Sequence, residues 1–374
     1  MTHPVLDDYA RRFIVDQGVS PAAVLAVGTR TAEGWQLAVG AAGARSAAHP
    51  EPVEPRTPFD LASVTKPFVA CVAARLVRKG LLSWNDALGQ IVPELRHTAS
   101  SGATVEALLS HRAGLESHRA LYLPLLDRRR IDVESALTEA ANARRAECIG
   151  APPDGGFEPV YSDLGYILAG AAIARIASRP LAEAVGVEVT EPLGLDVASA
   201  AAFRERDPSF LARVAPTEVV PFRGGEIIGE VHDENAWALS GLAISGHAGL
   251  FGTARAVAEF GSAVLDAASG RRDDWLRRDD VEPLIRVRSG GTLRAGFDGR
   301  AEVGSAAGSR FGPHTFGHLG FTGTSLWCDP DSGVVAVILT NRVSPTRDNI
   351  AIRRIRPLLG DALHEVSCAL GGAG

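Results

Sequence analysis

Lysine is the scarcest charged residue in this sequence. Of the 38 basic residues only Lys66 and Lys79 are lysines, and all the others are arginines. A surface cation can be exchanged for arginine, but a proton acceptor cannot, because guanidinium stays protonated in proteins whereas a buried amine can lose its proton. A lysine in such a sequence is therefore a candidate for proton transfer.

Other absences exclude whole classes of function. The net charge is −6 and the one basic run, residues 128–130, is short, which argues against a nucleic-acid partner because phosphate binding needs a concentrated basic surface. The four cysteines lack metal-type spacing, so we expect reduced thiols. The Gly-x-Ser-x-Gly elbow and the glycine signatures of phosphate and dinucleotide binding are also missing.

Long apolar runs are absent too, and no stretch approaches the length of a membrane span. The first residues do not combine a basic segment with an apolar one, so we expect a cytoplasmic protein without a membrane partner. The 374 residues, 46% hydrophobic and 22% charged, are typical of a globular chain with a sizeable core.

Strand patterns occur at both ends of the chain, with helical patterns between them. Residues 22–28 and 35–41 predict a hairpin, and two β-rich runs, 317–328 and 334–340, follow the helical middle. We therefore predict an α/β (α+β) fold, in which an antiparallel sheet is built from both chain ends and flanked by helices.

The same patterns divide the chain into two predicted domains. Residues 1–84 and 286–374 form the sheet domain, the mainly helical residues 85–285 form an inserted domain, and the active site lies at their interface. The main predicted helices are residues 64–79, 104–111, 162–177, 254–268 and 349–369.

Ser63 and Lys66 lie three residues apart at the start of a predicted helix. Three residues are nearly one helical turn, so the hydroxyl and the amine emerge on one face. Pro67 is tolerated only in a first turn, which places Ser63 where unpaired N–H groups and the helix dipole stabilise a developing oxyanion. The pair is typical of a serine nucleophile with its base, although a chance Ser and Lys at a helix start is the alternative.

Two further segments carry polar groups that could converge on this nucleophile. Tyr161 can relay a proton if a nearby ammonium lowers its pKa, whereas Asp163 is either part of the site or only a helix cap. Glycines around His318 and Gly320 indicate close approach by a ligand or another backbone, and the N–H of Phe321 would complete an oxyanion hole. A lone strand histidine can equally be structural.

The chain thus contains three spaced motifs: Ser63-x-x-Lys66, Tyr161-Ser-Asp163 and His318-x-Gly320. In this order they resemble the signature of the penicillin-recognising serine hydrolases, in the branch that includes class C β-lactamases, DD-peptidases and related esterases. The resemblance spans residues 22–354. It also includes residues 108–115, 192–195, 231–236, 246–251, 321–327 and 340–342.

This resemblance implies a β-lactamase/transpeptidase-like fold and a covalent acyl-enzyme, with no cofactor. It implies that Ser63 is acylated and that Lys66 and Tyr161 share the acid–base work. The N–H groups of Phe321 and Ser63 would form the oxyanion hole.

Two positions depart from the lactamase pattern, because Asp163 replaces the usual Asn and His318 the usual Lys. A carboxylate at position 163 would favour the ammonium form of Lys66 and leave Tyr161 as the better base. A histidine that is neutral above about pH 6.5 anchors a substrate carboxylate less well than a lysine. We therefore expect a small ester or amide substrate, with esterase or D-amino-acid peptidase or amidase activity and weak β-lactamase activity at best.

Two other functions fit the same motifs. An acyltransferase would pass the acyl group to a metabolite hydroxyl if water were excluded, and a β-lactam-binding scaffold would become acylated slowly or not at all.

The spacings of four further residues fit no zinc pattern, so we expect no metal. They are His232, Asp233, His247 and His314.

Overall fold

A six-stranded antiparallel sheet forms the centre of the structure, a computed structural model that describes residues 3–150 and 152–371. The strands are β1 (Ala22–Thr31), β2 (Gly34–Gly43), β3 (Phe59–Asp60), β4 (Val197–Ser199), β5 (Val219–Val220), β6 (Gly225–Glu226), β7 (Leu250–Gly252), β8 (Asp298–Gly299), β9 (Phe316–Leu319), β10 (Ser325–Asp329) and β11 (Val334–Thr340). The central order is β2-β1-β11-β10-β9-β8, which confirms an antiparallel sheet built from both chain ends. Two small sheets, β3-β7-β4 and β5-β6, lie outside it.

The helices lie mainly between β3 and β8 along the chain. They are α1 (Pro4–Tyr9), α2 (Thr65–Arg78), α3 (Leu88–Ile91), α4 (Val105–Leu109), α5 (Leu123–Leu126), α6 (Val133–Asn142), α7 (Asp163–Ala177), α8 (Leu181–Val185), α9 (Ala200–Arg206), α10 (Phe210–Arg213), α11 (Glu234–Ser240), α12 (Ala254–Ala268), α13 (Arg278–Ile285) and α14 (Ile352–Gly371). Within the described residues, no helix has both the length and the apolar character needed to cross a membrane.

The β-rich run predicted for residues 317–328 is not continuous. The chain turns back between β9 and β10, where the N–H of Gly320 donates to the carbonyl of Thr324 at 2.7 Å and Gly323 has a φ of +105°. Phe321, Thr322 and Thr324 favour a strand, so the sequence pattern did not reveal this break, although the glycines beside them are typical of turns. The turn is central to the site described below.

Different helices cover the two faces of the sheet. Along β1, Ala23, Leu25 and Val27 pack in one cluster with α1 and α14, whereas Val24 and Ala26 pack in another with α2 and α12. Successive side chains of a strand point to opposite faces, so burial of both faces explains why β1 reads as a continuous apolar run.

Helix α12 lies within the stretch predicted as the inserted domain, yet it packs on β1, β10 and β11. The division of the chain into two domains stays a prediction, but the sheet core clearly includes this helix. Cys71 and Cys328 are buried in the same core, and all four cysteines are free, in agreement with the expected reduced thiols.

Phe68 and Phe260 stack with ring centroids 3.9 Å apart and join α2 to α12. We expect Phe260→Ala to lower the free energy of unfolding by about 3 to 5 kcal/mol, because a buried ring is lost and a cavity remains. The control Leu358→Ala, at an exposed position of α14, should change it by less than about 0.5 kcal/mol. Urea unfolding followed by circular dichroism measures both, and equal effects would contradict this packing role.

Candidate active site

Ser63 lies in a short 3₁₀ turn, Ala62–Val64, between β3 and the first residue of α2. The preceding Ala62 has a φ of +47°, an unfavourable conformation for a residue with a side chain. Asp60 stabilises this turn, because its Oδ1 accepts the Ala62 N–H at 2.7 Å while its Oδ2 accepts the His232 N–H at 2.7 Å. Ser63 thus sits at a helix start, where the sequence predicted it.

The side chain of Lys66 is fully buried and bonds to three side-chain oxygens. Its Nζ lies 2.9 Å from Ser63 Oγ, 2.7 Å from the Tyr161 hydroxyl and 2.8 Å from Asp163 Oδ1. The carbonyl of His247 lies 3.3 Å from the same nitrogen. The structure therefore brings the first two predicted motifs together around one amine.

The charges in this group follow from burial and from the Asp163 carboxylate. Burial alone would lower the pKa of Lys66, but the nearby Asp163 and Tyr161 reverse that effect and raise it above the ordinary value. Burial also raises the pKa of Tyr161, and the Lys66 ammonium only partly offsets the rise. The ammonium thus acts on the pKa of this phenol in the direction that a relay requires, but desolvation is the larger effect and the net shift is upward.

Tyr161 lies just before α7 and Asp163 is its first residue, and both side chains contact Lys66. Ser162 is the N-cap, since its hydroxyl accepts the Gly165 N–H at 3.2 Å. Asp163 is therefore not the cap, which leaves its carboxylate free to bond to the ammonium.

His111 supports this segment and is a residue whose role the sequence did not predict. Its Nδ1 accepts the Ser162 N–H at 3.0 Å, and its ring stacks on that of Tyr161 with centroids 4.7 Å apart. Burial and the positive charge of Lys66 lower its pKa well below the ordinary value, so the imidazole is neutral. In the sequence, His111 stood out only as one of residues 108–115, which take part in the family resemblance. Its ring contacts could not be predicted because they arise from tertiary packing.

His318, on β9, forms the opposite side of the site. Its ring lies 5.9 Å from that of Tyr161, and its Nδ1 lies 2.8 Å from the Leu319 carbonyl, so this nitrogen carries the proton and donates it. Burial and the charge of Lys66 lower the pKa of His318 to about 3. His318 is thus a neutral side chain near the site, and its Nε2 is an acceptor.

The turn between β9 and β10 carries Gly320 and Phe321. Two threonine hydroxyls tie it to the segment before the nucleophile: Thr322 donates to the Asp60 carbonyl at 2.8 Å and Thr324 to the Leu61 carbonyl at 2.9 Å. Within the described residues, nothing accepts a hydrogen bond from the Phe321 N–H. This donor is available next to the Ser63 turn, as an oxyanion hole requires.

The four residues considered for a metal make other contacts. His247 pairs with Asp233 at 2.8 Å, the His232 ring stacks on Phe321 at 5.7 Å, and the His314 side chain is mostly exposed. Across residues 3–150 and 152–371, no group of three or more His, Cys, Asp or Glu side chains could hold a metal ion.

Comparison with known proteins gives consistent results. The family model described as Beta-lactamase matches residues 10–359. A proposed D-alanyl-D-alanine carboxypeptidase of Salmonella agona is 28% identical over 334 residues, which cover 82% of this chain and 74% of that protein.

Two solved structures have a similar fold. A class C β-lactamase from Rhodobacter sphaeroides has a TM-score of 0.69 at 17% identity, with 96% of this chain and 99% of that chain covered. EstCE1, a hydrolase with promiscuous acyltransferase activity, has a TM-score of 0.68 at 21% identity, with 94% and 97% covered. These likenesses confirm the predicted β-lactamase/transpeptidase-like fold. Since the family model covers most of the sequence and includes all three motifs, the chain belongs to the β-lactamase family of serine hydrolases.

Proposed function

We propose that this chain forms an acyl-enzyme on Ser63 and hydrolyses a small ester or amide. The observation that carries the proposal is the contact of one buried amine, Lys66, with Ser63 Oγ, the Tyr161 hydroxyl and the Asp163 carboxylate. A serine hydroxyl needs a neighbour that accepts its proton, and this group supplies one. The N–H groups of Ser63 and Phe321 would bind the oxyanion.

Tyr161 acts in this proposal as a proton relay. The pKa values of Lys66 and Tyr161 are both raised, so an ammonium and a neutral phenol are present near neutral pH. As Ser63 Oγ bonds to the substrate carbonyl carbon, its proton moves to the Tyr161 oxygen, and the phenol proton moves to the departing alcohol or amine. Water then attacks the acyl-enzyme by the same route in reverse, and the Lys66 ammonium holds the phenol oxygen throughout.

The surroundings of Ser63 favour a substrate without a carboxylate next to the scissile bond. Lys66 is occupied by Asp163, and His318 is neutral. Of the arginines near Phe321, Arg342 donates to backbone carbonyls and Arg347 pairs with two glutamates. These features support an esterase or an amidase acting on D-amino-acid derivatives, with β-lactams as poor substrates.

The first prediction concerns the nucleophile. Intact mass spectrometry after treatment with a fluorophosphonate should show one covalent adduct, because an activated serine displaces the fluoride. Ser63→Ala should abolish the adduct, whereas the control Ser262→Ala, at a buried serine of α12 whose hydroxyl donates to the Ala258 carbonyl, should keep it. An adduct that persists in Ser63→Ala would place the nucleophile elsewhere.

The second prediction concerns the carboxylate. Asp163→Asn removes the charge that raises the pKa of Lys66, so burial should lower that pKa and the ammonium should be lost at a lower pH. We expect kcat/KM for a p-nitrophenyl ester to fall about 10- to 100-fold near neutral pH, with its alkaline limb shifted to lower pH. The control is Asp132→Asn, at the exposed N-cap of α6. Activity that instead rises with pH in Asp163→Asn would identify the free amine of Lys66 as the base.

The third prediction concerns substrate charge. The p-nitrophenyl ester of butyrate should have a kcat/KM at least about tenfold above that of the matched half-ester of succinate. Lys66 is paired with Asp163 and His318 is neutral, so neither side chain offsets the desolvation of the succinate carboxylate. His318→Lys should narrow this difference by supplying a cation on β9. A wild-type preference for the succinate half-ester would contradict the conclusion that the His318 side chain is uncharged.

A further inference from the structure

A buried arginine lies behind the turn that carries Phe321. Arg356, in the first turns of α14, is only 7% exposed. Its Nη2 donates to the carbonyls of Gly320 at 2.9 Å and of Thr324 at 2.8 Å. The guanidinium therefore contacts both ends of the turn between β9 and β10.

This cation has no acidic partner among the described residues. Arg356 takes part in none of the ion pairs there, and its Nε has no hydrogen-bond partner. Burial, followed by the charges of Arg342 and Arg353, lowers its pKa. A buried, unpaired charge is costly, so its presence calls for a function that offsets the cost.

The turn does not need Arg356 to satisfy its backbone. The Gly320 carbonyl also accepts the Gly323 N–H at 3.1 Å, and the Thr324 carbonyl accepts the Gly320 N–H at 2.7 Å. Each carbonyl would keep a partner if the guanidinium were removed. The cost of an unsatisfied buried carbonyl therefore does not explain this arginine.

The position of the guanidinium relates it to the oxyanion hole. The Gly320 carbonyl belongs to the same planar peptide unit as the Phe321 N–H, and in a trans peptide the oxygen and the hydrogen point in opposite directions. A cation bound to the oxygen therefore directs the N–H away from itself. It also polarises the peptide and strengthens the N–H as a donor.

We infer that Arg356 is a positioning residue for acylation. Its guanidinium, bound to the Gly320 carbonyl, aims and polarises the Phe321 N–H and places a fixed positive charge behind the oxyanion. This inference rests on the proposed function of Ser63. The substrate carbonyl oxygen gains negative charge only as the Ser63 Oγ–carbon bond forms, so the charge stabilises the transition state more than the bound substrate.

Fluorophosphonate inactivation separates this role from a structural one. The phosphonyl oxygen occupies the oxyanion hole as the Ser63–phosphorus bond forms and fluoride leaves. We expect Arg356→Met to lower the maximal inactivation rate about 10- to 30-fold, less than the 10²-fold or more typical of losing an oxyanion donor itself. The half-saturating concentration should change by less than about twofold, and the melting temperature should stay level or rise because a buried unpaired charge is removed.

Two variants test the importance of charge. Arg356→Lys keeps a cation on α14 and should recover most of the lost inactivation rate, while Arg356→Gln keeps an amide donor without charge and should not. Arg356→Gln also replaces Arg356→Met in the comparison if the latter does not fold. The control is Arg294→Met, because Arg294 is another buried arginine bound to two backbone carbonyls, those of Ile285 and Thr315. It should leave both inactivation constants unchanged.

The outcomes are distinct. An unchanged rate in Arg356→Met, or a parallel loss of rate and melting temperature in Arg356→Met and Arg356→Lys, would overturn the inference and leave the proposed function standing. Failure of the wild-type chain to be labelled at Ser63 would overturn both. A selective loss of rate that Arg356→Lys restores would support the inference.

Discussion

The buried ammonium of Lys66 is the group on which the site depends. Moving an ammonium from water into a protein interior costs several kcal/mol unless protein oxygens replace its hydration shell. Here the oxygens come from three distant parts of the chain: Ser63 before α2, Tyr161 and Asp163 before and at the start of α7, and the His247 carbonyl before β7. Satisfying one cation therefore holds three segments in register, and the side chains of Ser63 and Tyr161 are aligned as a consequence.

A second set of bonds joins the turn between β9 and β10 to the segment before Ser63. Threonine hydroxyls from the turn between β9 and β10 bind the carbonyls of Asp60 and Leu61, and the Asp60 side chain holds the strained Ala62. The N–H groups of Ser63 and Phe321 are thus fixed relative to each other before substrate arrives. Such preorganisation matters because donors that need no reorganisation stabilise developing charge most effectively.

Much of this arrangement could be predicted from local sequence. The helical patterns predicted the bounds of α12, and those of α7 except that Ser162 is its cap. The motif spacing, together with the resemblance, predicted which side chains gather around Lys66. The rest depends on burial, which local patterns do not encode. The sign of the Tyr161 pKa shift and the support from His111 both follow from which distant segments bury these side chains. The break at residues 320–324 is different, because there a tight turn is concealed by residues that favour strands.

The distribution of charge around Ser63 bears on selectivity. Lys66 and Asp163 cancel, and His111 and His318 are neutral because burial and the adjacent ammonium both oppose their protonation. The side chains around Ser63 therefore have little net charge, and the nearby buried cation, Arg356, lies behind the turn between β9 and β10. A charge placed there attracts a carbonyl oxygen that is becoming negative, but it does not form an ion pair with a carboxylate elsewhere on the substrate. Under the proposed function, such a site would spend little binding energy on ground-state charge and would favour neutral acyl compounds through their transition states.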